Sequence, residues 1–299
     1  MNLGYACINM TLGKQKPKIT TNRSMIKKTF LEKGIPYASE LGIQNARDLV
    51  EIIKWNHRNG INFFRLSSDL FPWASEYNLS ELPHYHRISN LMAGAGHLAK
   101  KYGQRITSHP GPFNVLVSPK EHVVENTITD LTTHGEVFDM MGLSRTPYNK
   151  LNIHCNGVYG DKQSAMDRFC KNFERLPESV QTRLTVENDD KASMYSVKDL
   201  MYIHERIGIP IVFDYHHHKF CTGDLSEEEA LKLAVSTWPK DIVPVVHYSE
   251  SKALHENNEK LKPQAHSDYI NSVPNTYGLN VDIMVESKAK ELAILEYLQ

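Results

Sequence analysis

Arg183-Leu-Thr-Val-Glu187 is a short apolar run that stops on a carboxylate, and Ile211-Val-Phe-Asp214 repeats the pattern. Four further runs stop on a histidine or a carboxylate: Gln104-Arg-Ile-Thr-Ser-His109, Lys150-Leu-Asn-Ile-His154, Val243-Pro-Val-Val-His247 and Val281-Asp-Ile-Met-Val-Glu286. Consecutive endpoints lie 45, 33, 27, 33 and 39 residues apart along the chain, and most gaps hold a helix-patterned stretch. This is the spacing of successive βα units, because a parallel strand needs a crossover of a dozen or more residues. In such folds the chemistry gathers at the carboxyl ends of the strands. Six metal-ligand types at six strand ends would therefore converge on one spot.

Outward from these runs the chain reads as eight units. Leu3-Gly-Tyr-Ala-Cys-Ile8 and Asn62-Phe-Phe-Arg-Leu66 supply the first two strands. Helices are expected from about Ala46 to Gly60, up to Gly103, over Pro119–Met141, Gln163–Leu176, Ser196–Gly208, from Ser226, and over Lys288–Tyr297. Ser226 with Glu229 forms an S-x-x-E capping box, and one helix is expected to be degraded within Ser249–Asn280. The strands are continuous apolar runs, as a sheet buried on both faces requires. A single α/β domain over residues 1–299, a (β/α)8 TIM barrel, is the expected architecture; a doubly wound open sheet is the competitor, with its ligands at a switch point.

The totals narrow the class. A chain of 299 residues, 40% hydrophobic and 23% charged, is long enough for a full core. Cys7, Cys155, Cys170 and Cys221 show no C-x-x-C spacing and read as reduced thiols. No charged leader with an apolar run and no stretch of bilayer-spanning length is present, so a soluble intracellular protein is expected. There is no Walker motif, no G-x-G-x-x-G after a strand and no G-x-S-x-G elbow, so no nucleotide cofactor is expected. The net charge of −1 gives no pointer to nucleic acid, but it is unevenly spread: Lys14, Lys16, Lys18, Arg23, Lys27, Lys28 and Lys33 face the single acid Glu32.

Imidazole and carboxylate are ligands for borderline and hard divalent ions, and a carboxylate can bridge two of them. One strand-end histidine could simply hydrogen-bond in a polar barrel mouth. Six ionisable groups packed together would suffer desolvation and repulsion unless cations compensate them. Asp214-Tyr-His-His217 adds an imidazole three residues past a carboxylate, although spacing does not choose among His216, His217 and His218. His266 follows strand seven on the same face. By contrast, His57, His97, His122 and His134 lie in helix patterns and read as surface or packing residues, Cys155 as a small core residue, and Gly94-Ala-Gly96 as part of a helix.

Leu3-Gly-Tyr-Ala-Cys-Ile-Asn-Met-Thr-Leu12, Thr21-Asn-Arg23, Ser108-His-Pro-Gly111, Glu187-Asn-Asp189, the Asp214-x-x-His217-His218 box and Val285-Glu-Ser-Lys288 together resemble the UV damage endonuclease family over nearly the whole chain. That family is similar to the endonuclease IV type of AP endonuclease, a TIM barrel with a trinuclear metal site. The resemblance implies nicking of double-stranded DNA 5′ to cyclobutane dimers, 6-4 photoproducts and some abasic sites. A monomer is expected, since the barrel mouth must grip a duplex. It implies two to three divalent ions, Mn²⁺ foremost, with Zn²⁺, Mg²⁺ or Co²⁺ as substitutes. His109, His154 and Glu187 would surround one ion; Glu187, Asp214, His247 and Glu286 a second; His217 and His266 would hold a third. Glu187, Asp214, His217 and Glu286 would carry the catalysis. Tyr5, Asn9, Arg23, Lys14, Lys16, Lys18, Pro112 and Phe113 would meet the DNA.

Three departures from the family pattern stand out. Asp69 replaces a histidine frequent near the end of strand two, Pro112-Phe113 replaces a Gln-Tyr pair that probes bases opposite the lesion, and Val245 stands where some relatives carry a modifiable lysine. Two rival readings are a metal-dependent sugar isomerase on a related barrel and a non-catalytic, metal-stabilised binder of damaged DNA.

Overall fold

The computed structural model describes residues 1–298; Gln299, the last residue of the expected domain, lies outside the described residues. Eight strands pair in parallel and in chain order, and β8 closes onto β1. They are β1 Leu3–Ala6, β2 Phe63–Leu66, β3 Arg105–Ser108, β4 Leu151–Ile153, β5 Leu184–Glu187, β6 Ile211–Asp214, β7 Val245–Tyr248 and β8 Asp282–Val285. The helices are α1 Met10–Gly13, α2 Lys27–Arg58, α3 Tyr85–Lys101, α4 Glu121–Met140, α5 Lys162–Phe173, α6 Glu178–Gln181, α7 Val197–Ile207, α8 Tyr215–His218, α9 Glu227–Ser236, α10 Lys252–His255 and α11 Glu291–Tyr297. This is the expected (β/α)8 TIM barrel, and the open-sheet alternative falls because the sheet has no free edge.

Two apolar layers follow from the alternation of side chains across each strand. Ala6, Phe63, Val212, Val245 and Met284 fill the barrel interior, with Trp238 packed beside them. Outward-facing residues such as Phe64, Ile106, Ile153, Val186, Phe213 and Ile283 pack beneath the helices. At the foot of the barrel Arg105 lies 3.1 Å from Asp282 and donates to the carbonyls of Tyr148 and Val243, so its buried charge is fully engaged.

Local chemistry set several boundaries as read. Ser196 and Ser226 each cap a helix with an acidic partner three residues on, Asp199 and Glu229. Gly208 ends α7 at φ 72°, a left-handed position that glycine adopts without steric cost. Only the single turn α10 stands between β7 and β8, the degraded helix anticipated there. The start of α2 is a correction. The helix begins at Lys27 instead of near Ala46, because Gly34 (φ 60°, ψ −158°) breaks it only locally and the helix resumes through Pro36. Lys27, Lys28 and Lys33 are therefore helical, and the irregular basic segment is confined to residues before them.

Candidate metal centre

Every strand endpoint singled out in the sequence reaches the carboxyl mouth of the barrel. Three groups of donor atoms there come within 4.8 Å of one another: His109, His154 and Glu187; Glu187, Asp214 and His217; Asp214, His247 and Glu286. Glu187 and Asp214 each belong to two groups. Around Glu187 Oε2, His247 Nδ1 lies at 3.1 Å, His109 Nε2 at 3.2 Å and His154 Nε2 at 3.7 Å. Glu187 Oε1 faces His217 Nδ1 at 3.4 Å. His266 joins none of these groups: its Nδ1 lies 2.6 Å from Ser249 Oγ and its ring is 6.5 Å from that of His217. Among the three consecutive histidines, His217 alone enters the cluster; His216 and His218 are buried, not solvated, against Phe220 and Phe213.

The residues fit divalent cations on an observation independent of donor type. Glu187 Oε1 and Asp214 Oδ2 are buried and accept no hydrogen bond, an arrangement that is costly unless a positive charge occupies the space between them. The electrostatics agree. Burial pushes the Asp214 carboxyl up to about 7, reinforced by Glu187 and Glu286 despite the opposing pull of His217. Burial disfavours charge on His217, yet Asp214, Glu187 and Glu286 outweigh it and raise the imidazole to about 10. Burial lowers His247 to about 4. Glu187 is held well below the usual carboxylate range, its burial outweighed by His247, His154 and His109.

Supporting residues that sequence reasoning missed complete the site. Arg65, from β2, donates to Glu286. Asn152 donates to Glu187, and Thr185 fixes it by donating to Asn152 Oδ1 at 2.7 Å. Asn188 accepts from the Asp214 amide at 2.8 Å and donates to the Asp214 carbonyl at 3.1 Å, while its own carbonyl lies 2.9 Å from His217 Nδ1. Asp189 sits 3.2 Å from His154 Nδ1. Fully buried Lys150 lies 3.2 Å from His247 Nε2, which leaves Nδ1 turned toward Glu187 and Glu286. Val245 is interior packing. For two of them the face, though not the role, was legible: Lys150 and Asn152 alternate with apolar residues on the way to His154, so all three share one face of the strand.

The expected DNA contacts fare unequally. Lys14, Lys16 and Lys18 are exposed, and so are Pro112 and Phe113, the latter 87%. Tyr5 and Asn9 are buried. Tyr5 lies on the helix-facing side, donating to Asn56 and accepting from Asn9, which in turn caps α1. Arg23 is committed to Asp48 at 2.7 Å and to the carbonyls of Thr20 and Lys18, so it shapes the basic loop instead of projecting from it. Asp69 is in no donor group; it lines a separate cavity with Phe113.

Known proteins share this arrangement of chain and fold. The chain is 38% identical over 303 residues to the UV-damage endonuclease of Schizosaccharomyces pombe, covering 98% of this chain and 49% of that protein. It is 33% identical over 308 residues to the UV DNA damage endonuclease of Bacillus cereus, covering 100% of this chain and 94% of that one. The chain thus spans about half the length of the fungal relatives and nearly all of the bacterial one. The crystal structure of SacUVDE superposes with a TM-score of 0.85 at 32% identity, over 100% of this chain and 96% of that chain. A D-psicose 3-epimerase from Clostridium cellulolyticum, at 13% identity and a TM-score of 0.54 over 96% of this chain and 85% of its own, shares the barrel alone. The model of the UV-endonuclease UvdE family matches residues 1–299, and the chain belongs to that family.

Proposed function

We propose that the protein is a metal-dependent endonuclease that hydrolyses the phosphodiester 5′ to UV photoproducts in double-stranded DNA, with cyclobutane dimers, 6-4 photoproducts and abasic sites as its lesions. The observation that carries this reading is the sharing of Glu187 and Asp214 between neighbouring donor groups, which makes three adjacent sites out of seven residues. His109 and His154 would hold one ion with Glu187, His217 a second with Glu187 and Asp214, and His247 and Glu286 a third with Asp214. His266 would approach the second only from outside. The mixture of imidazole and carboxylate suits Mn²⁺, with Zn²⁺, Mg²⁺ and Co²⁺ as substitutes. Such ions lower the pKa of water, neutralise phosphate oxygens and stabilise a leaving alkoxide.

The chain's own residues prepare that chemistry. Asn188 fixes Asp214 and His217 relative to each other. Arg65 orients Glu286, and Lys150 orients His247, so two ligands on adjacent strands are aimed before substrate arrives. Exposed Lys14, Lys16 and Lys18 would track the backbone of a duplex gripped by a monomer, and Phe113 would enter between base steps.

The direct test is UV-irradiated supercoiled plasmid incubated with protein and Mn²⁺. Nicking is expected to require both irradiation and metal, and to vanish with chelator. Glu187→Ala is expected to lower nicking at least a hundredfold with loss of bound Mn²⁺. Equal nicking of unirradiated plasmid, or a Glu187→Ala protein with full metal content and near-normal nicking, would overturn the reading. Binding of irradiated plasmid without nicking would favour a damage binder.

A further inference from the structure

In the loop that follows β4, positive φ angles crowd together: Asn156 at 59°, Gly157 at 141°, Tyr159 at 49° and Gly160 at 82°. Glycine adopts this region freely and asparagine tolerates it, but a tyrosine there is an outlier. Such strain persists only where the surrounding structure imposes it, and it gathers at functional sites. Core packing does not account for it. Val158 packs against the core, whereas Tyr159 is 48% exposed, and among the described residues only Phe113 is a more exposed aromatic.

The loop is nonetheless firmly held. Tyr195 Oη donates to the Gly157 carbonyl at 2.7 Å, Asn156 Nδ2 donates to the Asn114 carbonyl at 3.4 Å, and Asp161 closes the loop by capping α5. The Tyr159 ring rests against Gly157, where an added Cβ would stand 2.9 Å from Cε2, and the Arg168 guanidinium lies 5.8 Å from the ring centre. Strain, clamps and a glycine without room for a side chain thus combine to hold one aromatic ring at the mouth with much of it bare.

Placement and chemistry indicate what the ring meets. Tyr159 follows His154, a donor of the metal centre, by five residues. Such a stretch spans about 17 Å at most, so the ring stands within a few nucleotides of any phosphate seated on the centre. An uncharged ring of this kind stacks on another flat face, and stacking on a base is indifferent to sequence. In intact duplex every base is covered above and below by its neighbours. A lesion removes one cover: the undamaged base on the 5′ side of the phosphodiester to be cut loses a well-stacked neighbour.

We infer that Tyr159 is a specificity-determining residue that stacks on this base, the one that becomes the 3′-hydroxyl end of the nick. The inference rests on the damage-endonuclease reading and adds to it a contact that intact duplex has no free base face to make.

The test uses the full chain and two duplexes of one sequence, with and without a single thymine dimer. Affinities are read by fluorescence anisotropy in chelator, so that neither duplex is cut, and bound Mn²⁺ per chain in parallel samples controls for folding. Tyr159→Ala is expected to weaken binding of the dimer duplex about tenfold more than binding of the undamaged one, and Tyr159→Phe to restore the preference. In the wild type, 5-iodouracil placed at the nucleotide 5′ to the cut should photocrosslink to the peptide carrying Tyr159. Equal loss on both duplexes, a preference kept by Tyr159→Ala, or crosslinking to Tyr159 only from the opposite strand would each overturn the inference. Wild-type protein that nicks neither duplex in Mn²⁺ would overturn the underlying reading as well; wild-type nicking of the dimer duplex with an indifferent Tyr159→Ala overturns the role of Tyr159 alone.

Discussion

Asp214 and His217 stand three residues apart on one turn and compete for protons with any cation that enters between them. At pH 7 the raised Asp214, near 7, is about half protonated, and His217, near 10, is protonated. Ligation requires both to be deprotonated. Loading the metal-free protein with Mn²⁺ at pH 7 should therefore release on the order of one to two protons, falling toward about one at pH 9. Calorimetry in buffers of different ionisation enthalpy measures this release, and heats identical in every buffer would contradict it. The sign extends to stability. A folded-state pKa above the ordinary histidine value means that the His217 contribution to the metal-free protein is complete below about 6.5 and is lost as pH rises through about 10. At this scale the sequence reading picked out the donor residues that converge, because six of them stand at or next to the end of a strand. It missed Arg65 and Lys150, whose task is to aim another side chain, and that role is visible only once two strands are placed side by side.

Between elements, the tightest constraint is where α3 meets the end of α4. A Cβ built on Gly96 would stand 1.8 Å from the Met141 carbonyl oxygen, a backbone atom that cannot swing aside. Gly96→Ala should thus push the two helices apart and cost about 3 kcal/mol or more, at the upper end of overpacking penalties. Denaturant unfolding monitored by circular dichroism checks this, and a variant as stable as the wild type would show that α3 and α4 are not so closely apposed. Gly94, two residues earlier, meets nothing within 4 Å, so Gly94→Ala is the control and should be neutral or slightly stabilising. The sequence placed both glycines inside a helix but could not tell them apart, since close approach is a property of the neighbour. It likewise read the caps of α7 and α9, which are local, and missed the first part of α2. Gly34 and Pro36 have the appearance of a stop, whereas packing of Ala38, Leu41 and Ile43 holds the helix on through the kink.

Taken whole, the molecule is almost neutral, at −1, but its charges are sorted. Carboxylates gather in the mouth, where burial and bound cations would govern them, while Lys14, Lys16 and Lys18 stand exposed beside α1. Net charge alone hid this separation. The ring of strand ends was legible because closure of an eight-stranded barrel brings every strand's carboxyl end to one face; which neighbouring groups share a carboxylate was not, since that depends on register and stagger. The same separation sets how DNA is held. Each lysine that neutralises a phosphate releases condensed counterions, so replacing Lys14, Lys16 and Lys18 together by alanine should reduce the slope of log affinity against log salt by roughly two to three. Binding to a lesion duplex should weaken most at low salt, and the curves of variant and wild type should converge as salt rises. Arg23→Ala supplies the contrast. Its guanidinium is occupied by Asp48 and two carbonyls, so this change should lower the melting temperature while leaving the salt slope near that of the wild type. Fluorescence anisotropy across a salt series reads both. If the triple variant kept the wild-type slope, the exposed lysines would lie off the path of the backbone, and the duplex would have to be held from another side of the barrel mouth.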